Sequence, residues 1–282
     1  MQKVNIIIDV EKCHDCNNCF LSCKDEHWEN DHLPYALAQP RFGQKWVNVV
    51  YKERGQYPLQ DVSSFPHMCM HCDEPTCMKV AKNGAVYKRD DGIVIIDPVK
   101  AKGQRDIVDA CPYKVIFWNE ELQLPQKCTM CAHLLDEGTW EQPRCTFACP
   151  TGAMSFLRAT DEEMAQQVQL EGLENYRPEL GTKPRIYFKN LYRFTKCHLA
   201  GSVELHDQKE CAEGAKITAV HLATNQSFAG VTNNYGDFKI DHLEPNSGEY
   251  SVSVEYPGYG SKTVKVDLQT SVNVGTVYLE RV

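Results

Sequence analysis

The sequence predicts an α+β protein in which a cysteine-rich region of short strands and turns precedes a small all-β domain. Twelve of the fourteen cysteines fall within residues 1–157. From Gly201 onward, apolar and polar residues alternate, and turn-forming stretches such as "NNYGD" and "YPGYG" separate the alternating runs. These patterns predict a cysteine-rich domain at 1–157, a helix with a connecting strap at 158–195, and an Ig-like or transthyretin-like β-sandwich at 196–282.

Charge and hydropathy exclude several classes of function. The chain has 282 residues and a formal net charge of −8, which argues against nucleic acid as the main partner. No apolar run is long enough to cross a bilayer, and the N-terminal stretch "MQKVNIIIDVEKC" lacks the features of a secretory signal. We therefore expect a cytoplasmic protein without a membrane span, although export alongside a signal-bearing partner stays open.

The number of cysteines indicates metal binding. Disulfide frameworks are typical of short secreted domains that lack an adequate core, whereas this chain is large and shows no export signal. Metal ligation is therefore the favoured interpretation. Cys197 and Cys211 lie outside the cysteine-rich region, and we expect them to be free or packing thiols rather than a disulfide.

The spacing of the cysteines is typical of iron–sulfur clusters. The run "CHDCNNCFLSC" has the C-x2-C-x2-C-x3-C spacing of bacterial ferredoxins, and proline follows Cys111 and Cys149. Zinc is the alternative, since C-x2-C pairs also suit tetrahedral zinc sites, but zinc sites rarely use so dense a run. The sequence therefore predicts two ferredoxin-like [4Fe–4S] modules.

A ligation rule of two-cluster ferredoxins assigns the cysteines to sets. The fourth cysteine of such a run ligates the neighbouring cluster. The rule leaves the group "CMHCDEPTC" without a fourth ligand, and Cys111 is the one cysteine that remains for it. The predicted sets are Cys13, Cys16, Cys19 and Cys149 for cluster 1; Cys23, Cys128, Cys131 and Cys145 for cluster 2; and Cys69, Cys72, Cys77 and Cys111 for cluster 3.

The same rule locates a missing fourth cluster. A C-x2-C-x2-C-x3-C run that ended at Cys111 would have its other members at Ala101, Gln104 and Ile107. The outward-pointing cysteine of the other group would stand at Ala81. All four absent ligands belong to one cluster, so we predict a four-cluster scaffold that has lost one cluster and retains three.

Charged residues and histidines next to these cysteines could influence the reduction potentials of the clusters. Positive charges beside ligand cysteines would raise a cluster's potential, although ordinary surface charge is an equally good interpretation. Histidines near cysteines are expected to contact the sites from outside or to lie on the surface, because cysteines already complete the three sets. The charged candidates are Lys12, Lys24, Lys127 and Arg144, and the histidines are His14, His67, His71, His133 and His198.

The segment after the cysteine-rich region is predicted to form a helix, and the chain contains none of the catalytic motifs that we considered. Thr160 and Glu163 form a potential capping box before a run with helical spacing of apolar residues. We find no nucleotide-binding loop, zinc-protease motif or nucleophile elbow anywhere in the chain. A row of clusters without a substrate site indicates electron transfer for a partner chain that carries the chemistry.

The chain resembles the iron–sulfur subunits that accompany molybdopterin enzymes of the dimethyl sulfoxide reductase type. The resemblance spans roughly residues 1–195. Within that family it is similar to the branch whose partners transfer hydroxyl groups between pyrogallol-type and phloroglucinol-type phenols, through the lost cluster and the β domain. The stretches that carry it are "IDVEKCHDCNNCF", "NGAVYKRDDGIVIIDPVKAKG", "QKCTMCAHLLD" and "ELGTKPRIYFKNLYRF".

The resemblance implies a heterodimer, or a higher oligomer of it, with a large subunit that holds a bis(molybdopterin guanine dinucleotide) molybdenum centre. This chain would then be the non-catalytic subunit, with three [4Fe–4S] clusters. Two redox alternatives remain open: a net-oxidising resorcinol-type hydroxylase, and a reductase of an oxoanion or sulfur compound. A zinc-stabilised structural protein is the third class.

Overall fold

A computed structural model describes all residues, 1–282, and the chain divides into two units. The first unit comprises Met1–Tyr51 and Ser64–Leu191, and the second comprises Lys52–Ser63 and Tyr192–Val282. No helix in the structure combines the length and apolarity that crossing a bilayer requires. The predicted segment 1–157 contains Lys52–Ser63, whereas in the structure those residues pack with the second unit.

Short strands and short helices alternate through the first unit. Its strands, including a hairpin whose tip belongs to the second unit, are β1 (Lys3–Asp9), β2 (Val47–Gln56), β3 (Leu59–Met68), β4 (Val86–Lys88), β5 (Val94–Ile96), β6 (Phe117–Asn119), β7 (Leu124–Gln126), β8 (Met154–Ala159) and β9 (Ile186–Lys189). Its helices are α1 (Asn18–His27), α2 (Thr76–Val80), α3 (Asp106–Asp109), α4 (Ala132–Glu137), α5 (Arg144–Phe147) and α6 (Asp161–Glu171), with a 3₁₀ turn at Pro178–Leu180.

Strand β1 is the centre of the sheet in the first unit. It pairs antiparallel with β8 and parallel with β9. Its sequence "KVNIIID" contains the uninterrupted apolar run "III", and Val4, Ile6 and Ile8 are fully buried. Such a run fits a central strand that is covered on both faces. The other strands of this unit form two-stranded pairs, β2 with β3, β4 with β5, and β6 with β7.

Helix α6 begins at the capping box that the sequence predicts. The Thr160 side chain accepts a hydrogen bond from the Glu163 N–H, and the Glu163 carboxylate accepts one from the Thr160 N–H. Gly172 ends the helix in the left-handed conformation. Met164 is the buried residue of the helix and packs with Ile7, Ala159 and Leu173.

The second unit contains an all-β domain, as the alternating pattern predicts. A short helix, α7 (Tyr192–Thr195), precedes it. Its strands are β10 (Cys197–Leu205), β11 (Glu210–Cys211), β12 (Lys216–His221), β13 (Ser227–Val231), β14 (Asp237–Leu243), β15 (Gly248–Glu255), β16 (Lys262–Leu268) and β17 (Val272–Leu279). One sheet has the order β11-β10-β14 with β17 paired to β10, and the other has the order β13-β12-β15-β16.

Alternate residues of these strands form the core of the domain. Tyr250, Val252 and Val254 of β15 are buried, and the residues between them are not. They join one apolar cluster with residues of β10, β12 and β14. Gly201 of β10 lies so close to Phe238 that an added Cβ would come within 2.8 Å of the ring. The strand therefore needs glycine there because of space rather than backbone conformation.

An ion network holds the β2–β3 hairpin tip within the second unit. Arg54 is 4% exposed and donates to Asp61 at 2.7 Å and to Asp241 at 2.6 Å. Arg193 and Lys239 also contact Asp61. Burial opposes ionisation of both aspartates, yet hydrogen bonds from these cations hold the pKa of each below its usual value. Arg54 therefore links the hairpin tip to β14.

We expect Arg54→Met to loosen this tip. Two partly buried carboxylates would lose their central cation, which costs about 3 kcal/mol, the low end for breaking a buried ion pair, because Lys239 still contacts both. Amide hydrogen exchange in residues 52–63 should accelerate on the order of 100-fold. Arg281→Met is the control, since Arg281 is 69% exposed and 3.9 Å from Asp207. Equal exchange in both variants would contradict this role for Arg54.

Candidate metal centres

The structure brings the first predicted set of cysteines together around one cavity. Cys13, Cys16, Cys19 and Cys149 all line it, together with Pro66 and Met154. The cavity encloses about 290 Å³, part of it open to solvent. Cys16 is the exposed member of the set, whereas Cys19 is buried. This group therefore lies at the edge of the first unit.

The second set is fully buried. Its members are Cys23, Cys128, Cys131 and Cys145, and each is 4–6% exposed. The Cys23 thiol interacts electrostatically with Cys128 and Cys131, and the Cys145 thiol interacts with the other three. Burial raises the pKa of the Cys131 thiol to about 12 and that of the Cys128 thiol to about 11.

Two short helices place these first two sets side by side. Cys19 and Cys23 lie four residues apart in α1, and Cys145 in α5 stands four residues before Cys149. Residues four apart lie on one face of a helix. Helices α1 and α5 pack against each other. Helix α1 therefore contributes Cys19 to the first group and Cys23 to the second. On the other side, α5 contributes Cys145 to the second group, and Cys149, two residues after α5 ends, belongs to the first.

The third set includes the solitary cysteine of the sequence. The thiols of Cys69, Cys77 and Cys111 all interact electrostatically with that of Cys72. Burial raises the pKa of the Cys72 thiol to about 12, and Cys111 accepts backbone hydrogen bonds from Val115, Tyr113 and Lys114. Cys111 is thus close to the group "CMHCDEPTC" although it lies thirty-four positions after Cys77 in the sequence.

The four positions predicted for a lost cluster are filled by packing and by an amide. Ala101 and Ile107 are fully buried. The Gln104 side chain accepts a hydrogen bond from the Lys82 N–H at 2.8 Å and donates to the carbonyl oxygens of Lys82 at 3.2 Å and Lys100 at 2.7 Å. Lys82 adjoins Ala81, which ends α2. A glutamine amide therefore joins the two segments that a cluster would otherwise join.

The chemistry of the thiols fits iron–sulfur clusters. All fourteen cysteines are free, so no disulfide accounts for the three groups of four. Burial raises the pKa of the Cys19, Cys23 and Cys72 thiols, one in each group, which disfavours their thiolates unless a cation is bound. A coordinating metal deprotonates a thiol outright. Each group of four converging thiols is therefore suited to a cationic cluster.

The cysteine loops also turn backbone amides toward sulfur. Asp15, His71 and Met130 have positive φ angles of 53°, 44° and 56°. Left-handed residues within a turn let successive N–H groups point to one anion. The Met130 N–H, for example, lies 3.3 Å from the sulfur of Cys128. The backbone is therefore shaped to donate hydrogen bonds to ligated sulfur.

Side-chain hydroxyls near the sulfurs were not found from the sequence. The Ser64 hydroxyl donates to the sulfur of Cys13 at 3.4 Å. The Thr151 hydroxyl lies 3.7 Å from the sulfur of Cys149. Thr182 hydrogen-bonds Cys72. Only Thr151 has a sequence signal, as the second residue after its cysteine. Ser64 and Thr182 are distant in the sequence and reach the sites through tertiary packing.

The histidines near cysteines have different environments. His14 is exposed, and burial lowers the pKa of His67 to about 4. His198 belongs to β10 of the second unit. His71 is fully buried, and its Nδ1 accepts the Val94 N–H, so the ring proton is on Nε2. That Nε2 has no hydrogen-bond partner in the protein, and a sulfur of the third group could accept from it.

The four candidate cations differ in their exposure and in the groups to which they bond. Lys12 is an exposed residue that pairs with Asp9 at 4.0 Å. Lys24 donates to backbone carbonyl oxygens, and Arg144 pairs with Glu26 and Asp25. Lys127 is 3% exposed and donates to the carbonyl oxygens of Val94 and Cys128 rather than to a carboxylate. Its charge acts on both Cys77 and Cys128. Lys127 therefore places a buried cation between the second and third groups.

Comparison with known proteins places these features in a family. Residues 60–159 match the family described as a 4Fe-4S dicluster domain, and residues 198–280 match the carboxypeptidase regulatory-like domain. The small subunit of pyrogallol hydroxytransferase from Pelobacter acidigallici is 47% identical over 99% of this chain and 100% of its own length. This chain belongs to the iron–sulfur subunits of dimethyl sulfoxide reductase-type molybdopterin enzymes.

Other members of the family match a smaller share of the chain. A sulfite dehydrogenase subunit from Allochromatium vinosum is 31% identical over 67% of this chain and 83% of its own length. A tetrathionate reductase subunit from Salmonella typhimurium is 30% identical over 66% of this chain and 72% of its own. Among solved structures, the match to shaft pilin SpaA from Lactobacillus rhamnosus GG covers 36% of this chain and 49% of the pilin, at 11% identity and a TM-score of 0.27.

We expect Cys111→Ala to remove one cluster and leave two. The substitution takes one sulfur from the third group only, so about four irons and one electron paramagnetic resonance signal should disappear. Gln104→Ala is the matched control, because it lies in the same segment and carries no thiol. That variant should keep its full iron content. Loss of the signal of the first or second group in Cys111→Ala would show that the pairing is wrong.

Lys127→Met should lower the reduction potentials of the second and third groups. Two unit charges about 8 Å apart at an effective dielectric constant of 20 interact by about 2 kcal/mol, which is on the order of 100 mV for one electron. Removing a positive charge disfavours the added electron, so the shift is negative. Lys79→Met is the control, since Lys79 is exposed two residues after Cys77. A redox titration that gave the same potentials for both variants would refute this effect.

Proposed function

We propose that this chain binds three [4Fe–4S] clusters and transfers electrons for a large molybdopterin subunit that acts on polyhydroxylated benzenes. The partner would hold the bis(molybdopterin guanine dinucleotide) molybdenum centre and the substrate, and this chain would be its non-catalytic subunit. The family membership supports the electron-transfer role, while the number of clusters and the substrate class are our inference.

One observation carries the number of clusters. Three groups of four thiols converge in the first unit, whereas the fourth position contains Ala81, Ala101, Gln104 and Ile107. The Gln104 amide bonds the backbone there, and two of the four side chains are fully buried. None of these four side chains offers a thiolate for iron. The arrangement supports three clusters rather than four.

The residues of the chain would hold the clusters and set their surroundings. Such clusters supply one-electron transfer when bound. Cysteine sulfurs bind the iron, and burial of Cys23, Cys128, Cys131 and Cys145 excludes water from the second group. Lys127 offsets negative charge between two groups. The exposed sulfur of Cys16 leaves the first group nearest to solvent.

The extent of similarity favours a phenolic substrate for the complex. The 47% identity to the pyrogallol hydroxytransferase small subunit extends over 99% of this chain and therefore includes the β domain. The relatives from sulfite dehydrogenase and tetrathionate reductase match only 67% and 66%. We therefore infer hydroxyl transfer between pyrogallol-type and phloroglucinol-type phenols, with sulfur-compound redox chemistry as the second candidate.

Co-expression with a candidate large molybdopterin subunit tests the substrate class. We expect the anaerobically purified complex to contain molybdenum and to convert pyrogallol to phloroglucinol. Turnover of sulfite or tetrathionate with a redox dye, without activity on phenols, would favour the second candidate instead. A chain that purifies colourless, with zinc in place of iron, would contradict both.

Iron and sulfide analysis tests the number of clusters. We expect about twelve of each per chain, and three reduced clusters by spin integration. About eight or about sixteen would contradict the proposal. A matched pair of variants makes the test specific, since Cys16 and Cys211 are both exposed cysteines. Cys16→Ser should lose iron from the first group only, whereas Cys211→Ser should lose none.

A further inference from the structure

Apart from the three cysteine groups, the first unit contains a set of three side chains that could ligate a metal, near Cys131 of the second group. Glu26 is in α1, His133 is in α4, and His32 is in the loop that follows α1. The ligand atoms of these three residues all lie within 4.8 Å of one another. The side chains are 11%, 6% and 16% exposed, respectively. Cysteine takes no part in this set, so it is chemically distinct from the three thiol groups.

The distances match those of a tetrahedral zinc site. Zinc bonds of 2.0–2.1 Å to nitrogen and oxygen at tetrahedral angles separate two ligand atoms by about 3.3 Å. Glu26 Oε1 lies 2.9 Å from His133 Nε2 and 3.8 Å from His32 Nε2. The two values bracket the expected separation. Shifts of about half an ångström would therefore bring both Glu26–histidine pairs to the expected separation, and the ligand atoms of the two histidines lie within 4.8 Å of each other.

Neighbouring groups orient Glu26, whereas one histidine ring has to turn for an ion to bind. The imidazoles of His32 and His133 are stacked with their centroids 3.7 Å apart and their planes 17° apart. Because an imidazole nitrogen binds a metal in the plane of its ring, the partly exposed His32 ring would rotate out of the stack when both rings bind one ion. Arg144 donates to Glu26 Oε2 at 2.9 Å and leaves Oε1 facing the histidines. Outer partners of this kind orient metal ligands and fix which atom binds.

A hydrogen-bonded cluster without metal is the competing interpretation. His133 Nε2 lies 2.9 Å from Glu26 Oε1, and His32 Nε2 lies 3.0 Å from the Glu26 carbonyl oxygen. Only one nitrogen of each neutral imidazole carries a proton, so each Nε2 can give up its hydrogen bond and offer a lone pair instead. In His133 the proton would then lie on Nδ1, which is buried without a hydrogen-bond partner in the protein. Binding a cation would exchange two hydrogen bonds for two metal bonds.

We propose that Glu26, His32 and His133 bind a zinc-class divalent cation with an open fourth position. Two imidazoles and one carboxylate are a donor set that zinc takes together with a water molecule. His32 and His133 also line a surface depression with Asp31, Asp136 and Glu137. That depression gives solvent and cations access to the fourth position. The ion would join α1, the loop after it and α4, which are three separate segments of the chain.

Zinc analysis of the complete iron-loaded protein tests the site without using activity. The protein is treated with a chelator, dialysed anaerobically against zinc sulfate and desalted. We expect one zinc per chain, with X-ray absorption showing only nitrogen and oxygen neighbours at about 2.0–2.1 Å. Sulfur neighbours at about 2.3 Å would place zinc in the cysteine groups and overturn the proposal.

Two variants make the test specific. His32→Gln removes one ligand from a partly exposed loop, and we expect the dissociation constant for zinc to rise at least 100-fold while the iron content stays unchanged. His206→Gln is the control in the second unit and should retain zinc. Equal zinc binding by the wild type and His32→Gln would mark the ion as adventitious and overturn the proposal. Because the cysteine groups are measured separately as iron, this result is independent of the function proposed above.

Discussion

The packing of helix α1 against helix α5 is the interaction on which the first unit depends. Helix α1 presents Cys19 and Cys23 one turn apart, and helix α5 contains Cys145, with Cys149 two residues beyond its end. Because residues four apart share a helix face, α1 cannot contribute to one thiol group without contributing to its neighbour. The two groups are therefore adjacent along α1.

The same four-residue spacing recurs around α2 and α3. Cys77 and Ala81 are four residues apart, as are Ile107 and Cys111. The hydroxyl of Thr76 in α2 donates to the Ala110 carbonyl oxygen at 2.6 Å at the end of α3 and joins the two helices there. On the opposite side, buried Ile107 and the Gln104 amide take up the space and the hydrogen bonds.

The cysteine sulfurs have hydrogen-bond donors directly beside them and positively charged lysines farther away. Backbone N–H groups and the hydroxyls of Ser64 and Thr151 lie next to the sulfurs. Lys24 and Lys127 lie behind them, and both ammonium groups bond to backbone carbonyl oxygens. A cation held by carbonyl dipoles keeps more of its field than one that is neutralised by a carboxylate. In iron–sulfur proteins generally, charges and hydrogen bonds around a cluster set its reduction potential.

Several features of the protein are determined by local sequence. Cysteine spacing predicted three groups of four and an empty fourth position, and the structure brings the members of each predicted group together. The capping box at Thr160 and the alternation in β15 also follow from neighbouring residues. Such patterns can be read from the sequence because the periods of helices and strands decide which side chains share a face.

Other features exist only in the tertiary structure. Nothing near Arg54 in the sequence indicates that it binds Asp241, and nothing near Glu26 indicates His133. Lys127 resembles any lysine beside a cysteine until its burial is known. These contacts join residues about one hundred or more positions apart, and the burial of Lys127 depends on distant segments in the same way. Because each depends on how whole elements pack, local periodicity carries no information about them, whereas the cysteine groups were predictable because their ligands are mostly close in sequence.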